Sequence, residues 1–238
     1  AKENLIAAVY LAGNGPTPSG NGDSSVVVMH ETSSDGILSI LSGISSRKMH
    51  SSRRDAFQSI DIQPLGRIHV EGSDCNIELQ NNNATTRPVK KPIEFNEEIR
   101  IAEMIAGPHL QPEHIAALSS TKPDALHIHG TGLGHLPIAD PNGDSPENNA
   151  VQKRLNEYIE QGGIVVMSTQ TIHGPVHLDV YSKGRDQRNM GILGHGSIGP
   201  PELSLVKLHY LLSKFGPVQD EIGNAWTKNL CGEISDIQ

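Results

Sequence analysis

Ala125-Leu126-His127-Ile128-His129-Gly130-Thr131-Gly132-Leu133-Gly134-His135 runs from an apolar strand straight into a glycine-rich turn. Glycines let a backbone approach a ligand closely, and parallel sheets bind ligands beyond the carboxyl ends of their strands. Upstream, residues 112–118 start with Pro112 and carry apolar residues at helical spacing. Downstream, a polar insert over 140–149 precedes a helix predicted over 151–160. Gly162-Gly163 ends that helix, and Ile164-Val-Val-Met167 reads as the next buried strand. Strand and helix therefore alternate, which predicts a parallel sheet with helices packed on it. Residues 99–105 fit either a helix or a strand. Pro200-Pro201-Glu202 opens a helix whose apolar face is read as Leu203, Val206 and Leu211, and residues 218–230 read as a closing helix around Trp226.

The front of the chain is patterned differently. Residues 4–11 are apolar at helical spacing, and Gly13 to Gly22 is a Gly, Pro, Asn and Ser stretch that cannot sustain a helix. Ser25-Val-Val-Val-Met-His30 reads as a strand buried on both faces, and residues 37–41 as another strand after the Ser33-Ser-Asp-Gly36 turn. Residues 42–61 are polar and aperiodic, so a loop is expected. Residues 68–70 and 77–79 flank Gly72-Ser-Asp, which suggests a hairpin. Asn81 to Pro92 is a linker by composition. The expected organisation is a domain over 1–80, a linker over 81–92 and a smaller α/β domain over 93–238.

Composition narrows the function classes. A formal charge of -8 over 238 residues speaks against a surface that grips nucleic acid through clustered cations. Cys75 and Cys231 have no C-x-x-C partner, so neither a disulfide framework nor a thiolate zinc site is indicated and a reducing cytoplasmic setting fits best. No apolar run is long enough to span a bilayer, and Ala1-Lys-Glu-Asn-Leu-Ile6 lacks the pattern of a secretory leader, so no membrane role is expected.

Three constellations could carry chemistry. Arg47-Lys-Met-His-Ser-Ser-Arg-Arg-Asp-Ala-Phe57 crowds four cations, a histidine, two hydroxyls and a carboxylate into one stretch. It reads either as a solvated basic loop or as a site in which Lys48 is buried beside a hydroxyl and serves as a base. The second reading needs desolvation or neighbouring cations to lower the amine's pKa, with Arg47, Arg53 and Arg54 at hand. The turn after His129 is not a dinucleotide fingerprint, since Gly130, Gly132 and Gly134 give G-x-G-x-G and a polar insert replaces the immediate helix. Finally, His127 and His129 are two apart and His173 and His177 four apart. Neither pair shows a third ligand, and Gly174-Pro175 breaks the helix the second pair would need, so no metal is expected.

These segments resemble the D-subunit branch of the archaeal Glu-tRNA(Gln) amidotransferases, within the asparaginase family. The resemblance is carried in order by Asn4-Leu-Ile6, Val27-Val-Met-His30, the Arg47 to Phe57 block, Gly130-Thr-Gly-Leu-Gly-His135, Val165-Val-Met-Ser-Thr-Gln170, Val180-Tyr-Ser-Lys-Gly-Arg185 and Val206-Lys-Leu208. It implies an asparaginase-like α/β fold, with residues 1–80 as part of a large parallel-sheet domain followed by the small domain. It also implies a threonine nucleophile from a Gly-Gly-Thr-Ile turn and a Thr-Asp-Thr motif that pairs with a lysine, the position that Lys48 occupies. Neither threonine motif occurs in these 238 residues. The expectation is accordingly a fragment that hydrolyses neither glutamine nor asparagine alone and leaves residues 26–29 on an exposed sheet edge. The resemblance further implies Thr131 and His135 as substrate-binding residues offered to the site of a second copy in a dimer. It implies an E-subunit partner that uses ATP and Mg and holds the tRNA, with no cofactor in this chain. His173-Gly-Pro-Val-His177 departs from the family's Tyr-Gly-Arg-Val-Asn, which leaves glutamine against asparagine open. A free-standing cytosolic L-asparaginase and a non-catalytic assembly module remain as alternatives.

Overall fold

Hairpin turns govern the front of the chain. Gly36 and Gly72 both have positive φ, +92° and +65°, which glycine adopts without steric cost, and each reverses the chain between neighbouring strands. A computed structural model describes residues 2–15, 25–80, 93–231 and 233–234. Residues 16–22 of the expected glycine loop and the whole expected linker over 81–92 lie outside those residues. The described chain divides into two compact units, Ala1–Lys91 and Pro92–Gln238, each with its own core.

In the first unit, helix α1 (Lys2–Asn14) is followed by β1 (Val26–His30) and β2 (Ile37–Ser42). A short ribbon of β3 (Ser46–Lys48) and β4 (Phe57–Ser59) comes next, then the hairpin β5 (Gly66–Glu71) and β6 (Asp74–Leu79). The main sheet has the order β1-β2-β5-β6 and is antiparallel throughout, with Val28 opposite Ile40 and Ile68 opposite Ile77. This corrects the expected parallel sheet for residues 1–80. Alternating burial along β5, with Gly66, Ile68 and Val70 in and Arg67 and Glu71 out, is the period-2 signature of a sheet covered on one face. Ala7 and Leu11 of α1 cover that face and share a core with Val28, Leu38, Ile40, Ile68 and Val70. β1 stands at the sheet's edge and is only partly buried, not enclosed on both faces.

The second unit follows the βα alternation of the sequence. Strands β7 (Ile101–Ile105), β8 (Ala125–Gly130) and β9 (Val165–Thr169) pair in parallel in that order, joined through α2 (Pro112–Ser120) and α3 (Pro146–Glu160). One face of the sheet packs Leu126, Ile128, Val165 and Met167 against Ile115, Val151 and Leu155. The other packs Ala125, Ile164 and Val166 against α5 (Pro201–Phe215) and α6 (Gln219–Trp226). The buried face of α5 is Ser204, Lys207, Leu208, Leu211 and Leu212, whereas Val206 is 53% exposed; the expected stripe was rotated by about one position. Helix α4 (Ser182–Asn189), Ser-Lys-Gly-Arg-Asp-Gln-Arg-Asn, has no apolar stripe and was not anticipated. Residues 170–181 form no helix, and Gly174 has a φ of +90°.

Candidate active-site segments

The Arg47 to Phe57 block is a hairpin rather than an unstructured loop. Lys48 closes the ladder opposite Phe57, and the Met49 N–H donates to Ala56 O at 2.6 Å. At the tip, the His50 Nδ1 accepts from the backbone N–H of Ser52 and of Arg53, at 3.2 and 3.1 Å. Arg53 grips Asp55 through Nε and Nη2, and its hydrogen bonds hold the Asp55 carboxyl below the usual carboxylate range. Arg54 reaches His30 at the end of β1, Nη2 to Nε2 being 2.6 Å, and pairs with Asp35. Glu3 completes that group, its Oε2 being 3.1 Å from the His30 Nε2 and accepting the Gly36 N–H.

The expectation of a buried Lys48 is corrected here: its side chain is exposed. The ladder bears on this, because β3 and β4 are three residues each and form a separate two-stranded ribbon, with Lys48 at its end. Arg53 and Arg54 are neutralised by Asp55 and Asp35, so they cannot serve as the free neighbouring cations invoked from sequence. Arg54 is the cation that this block carries to the end of β1, a role its position in the sequence did not reveal.

In the second unit the turn after β8 is closed on itself. Thr131 and His135 exchange two backbone hydrogen bonds of 2.9 Å, and the Thr131 Oγ1 also donates to His135 O at 3.2 Å. Gly132 and Gly134 have φ of +52° and +92°. A Cβ on Gly130 would lie 2.5 Å from the backbone of Gly134, and one on Gly134 would lie 2.7 Å from Val176, so the turn needs both glycines for space. Thr131 is exposed at the tip. His135 is buried, its ring 5.5 Å from that of Tyr181, and burial followed by the charge of Lys183 pushes its pKa down. Tyr181 and Gly184 of α4 lie against the ring.

Gln187 of α4 pins the turn from behind. Fully buried, it donates through Nε2 to Gly134 O at 3.0 Å and accepts the Leu136 N–H at 2.9 Å. Gln170 supports the other side, donating to Ala106 O and His129 O at 2.6 and 2.8 Å. Replacing Gln187 with Leu should cost about 2 kcal/mol, because two buried backbone groups lose their partners. Hydrogen exchange at the Leu136 amide should rise with it, and unchanged protection there would refute the assignment. Beside α4, Asp179 pairs with Arg188, which lowers its pKa, and lies 3.6 Å from His195. The ring of His177 packs edge-on against His195 at 5.2 Å, and His173 does not form the helical pair that its spacing allows.

Parallel pairing supplies what the sequence spacing lacked. Glu103 on β7 stands opposite His127 on β8, and its Oε1 is 3.0 Å from the His127 Nδ1 and 3.3 Å from the His129 Nε2. The two imidazoles are 4.7 Å apart. Burial pushes the His127 pKa down despite Glu103; the Glu103 carboxyl is raised by burial but lowered further by hydrogen bonds from both histidines, with a net fall.

Residues 100–225 match the family model of the glutaminase/asparaginase C-terminal domain, and residues 1–83 match that of the asparaginase N-terminal region. The D subunit of the glutamyl-tRNA(Gln) amidotransferase of Thermoplasma acidophilum is 32% identical over 236 residues, which is 98% of this chain and 51% of that protein. The corresponding D subunit of Sulfolobus acidocaldarius is likewise 32% identical, over 98% of this chain and 48% of its own length. The chain thus spans about half the length of the curated relatives it matches. The thermostable L-asparaginase of Thermococcus kodakarensis and L-asparaginase I of Vibrio cholerae share the fold, each with a TM-score of 0.71 at 24% identity, covering 98% of this chain and 62% of theirs. A family match over both units, joined to an asparaginase-like fold, places this chain in the glutaminase/asparaginase family.

Proposed function

We propose that this chain forms part of a glutaminase-type subunit that releases ammonia from glutamine, or asparagine, for the conversion of Glu-tRNA(Gln) to Gln-tRNA(Gln). The observation that carries the reading is similarity to amidotransferase D subunits along 98% of the chain, through both units. Lys48 is the proton-handling residue in this reading. A threonine hydroxyl from polypeptide outside these 238 residues attacks the amide, and it also covers the lysine that the ribbon leaves exposed. Thr131, at the tip of its closed turn, contacts substrate, and His135 positions that turn from inside.

The proposed partner is the amidotransferase E subunit, which uses ATP with Mg, takes the ammonia and carries the tRNA. A chain with a charge of -8 suits that division of labour. No described helix is long and apolar enough to cross a membrane, and the proposed setting is the cytoplasm, with two copies joined as a dimer.

The 238-residue protein alone should release no ammonia from glutamine or asparagine above a blank. Co-expression with the front half of an amidotransferase D subunit should restore release, and Lys48→Ala in that pair should lower kcat at least ~100-fold, the usual scale of a lost proton-transfer group. Activity of the isolated chain, or a Lys48→Ala pair as active as its parent, would overturn the reading. One observation favours a second reading, a non-catalytic assembly module: Lys48 is exposed and His135 buried. Under that reading co-expression restores nothing.

A further inference from the structure

We infer that Glu103, His127 and His129 form a binding site for a divalent transition-metal ion of the zinc type. Alternation along β8 puts both histidines on the sheet face that also carries Ala125, and parallel register brings Glu103 beside them. Sequence separation hides this triad, because the first imidazole comes 24 positions after the carboxylate, with a helix between them.

Donor type and spacing both fit such an ion. Two imidazoles and one carboxylate are a familiar zinc set and are poor ligands for Mg or Ca, which take oxygen. Donor atoms on a tetrahedral zinc at ~2.0–2.2 Å are separated by roughly 3.3–3.6 Å. The three donor atoms here lie within 4.8 Å of one another, with the Glu103 contacts at 3.0 and 3.3 Å. Three protein ligands leave a fourth position for water or a small ligand. Glu103 is half exposed and His129 partly so, which gives an ion a way in, while His127 is fully enclosed.

One further polar atom supports the assignment. The Ser168 Oγ is buried without a hydrogen-bond partner among the described residues. Ser168 stands opposite His129 in the ladder, on the same sheet face. Buried polar groups seldom go unpaired, and an ion that arrives with bound water brings partners the side chains by themselves do not provide. Glu202, in the first turn of α5, is near enough for its charge to act on His127 and adds to the negative potential.

A second group of possible ligands, Glu3, His30 and Asp35, does not qualify. The Arg54 guanidinium already sits among them, 2.6 Å from the His30 Nε2 and paired with Asp35, so a cation is in place.

The test is zinc titration of the untagged, chelator-treated protein by calorimetry, with cobalt as a spectroscopic substitute. The expected result is one equivalent bound at micromolar or lower zinc, with cobalt bands of a four-coordinate nitrogen and oxygen site. Glu103→Gln and His129→Ala, which alter side chains at the accessible side, should each weaken zinc at least ~10-fold while retaining the parent's circular dichroism. His173→Ala should bind zinc as the parent does. No binding below ~100 μM zinc, or parent-like affinity in both Glu103→Gln and His129→Ala, overturns the assignment.

Discussion

Lys207→Met is expected to lower unfolding stability by about 3–5 kcal/mol, the scale of a buried ion pair stripped of one partner. The Lys207 ammonium is sealed between α5 and the chain that follows α6. It donates to Glu233 Oε1 at 2.7 Å, Trp226 O at 2.8 Å and Lys228 O at 2.9 Å, and lies 5.2 Å above the Trp226 ring. Glu233 in turn accepts the N–H groups of Leu230 and Cys231 at 2.8 and 2.7 Å. Burial opposes its charge, but Lys207 and these amides outweigh it and hold the carboxyl at about 2, from an ordinary 4.5. A depressed carboxylate adds stability above its unfolded pKa and loses it as pH falls through the folded value. The contribution is therefore complete above about pH 4.5 and drains away toward pH 2. The difference in denaturant midpoint between parent and Lys207→Met should be full at pH 7, smaller at pH 3 and nearly gone at pH 2. Replacing both partners with apolar residues should recover most of the loss, because neither charge is left alone. A single variant within 1 kcal/mol of the parent would refute this account.

Gly134→Ala should cost about 2–5 kcal/mol, from two independent sources. A φ of +92° is a conformation that residues with a Cβ adopt at a penalty of roughly 1–2 kcal/mol, and the new atom would press on Val176 at 2.7 Å, where overpacking adds roughly 1–3 kcal/mol. The turn can relieve both only by giving up the Thr131 and His135 exchange or the Gln187 Nε2 bond. Thermal unfolding gives the magnitude, and Val176→Ala in the same chain should return the packing part but not the φ part. If Gly134→Ala unfolds with the parent, the backbone constraint is not what closes the turn.

What could be read from the sequence follows its periodicities. Val165 to Thr169 is buried at every position, so its apolar run stood out, and Pro112 and Pro201 marked two helix starts, whereas Pro146 to Asn149, read as part of a polar insert, is the first turn of α3. β1 misled because Val26-Val-Val-Met29 resembles a doubly covered parallel strand, whereas it is an edge strand backed by α1. Three-residue strands such as β3 and β4 are too short to show a period at all. α4 has no apolar face to betray it, and with it Gln187 went unseen. Glu103 was missed for a topological reason, since only the register of β7 against β8 makes it a neighbour of His127. Lys48 was legible as a position within a block, but its exposure depends on the ribbon that carries it.

The knot of hydrogen bonds behind Thr131 also bears on recognition. Residues 131–135 lose their conformational freedom when the polypeptide folds, so a molecule meeting that tip has little left to freeze. In the role proposed for Thr131, encounter would approach a lock-and-key event, with selectivity left to the few atoms that residue presents.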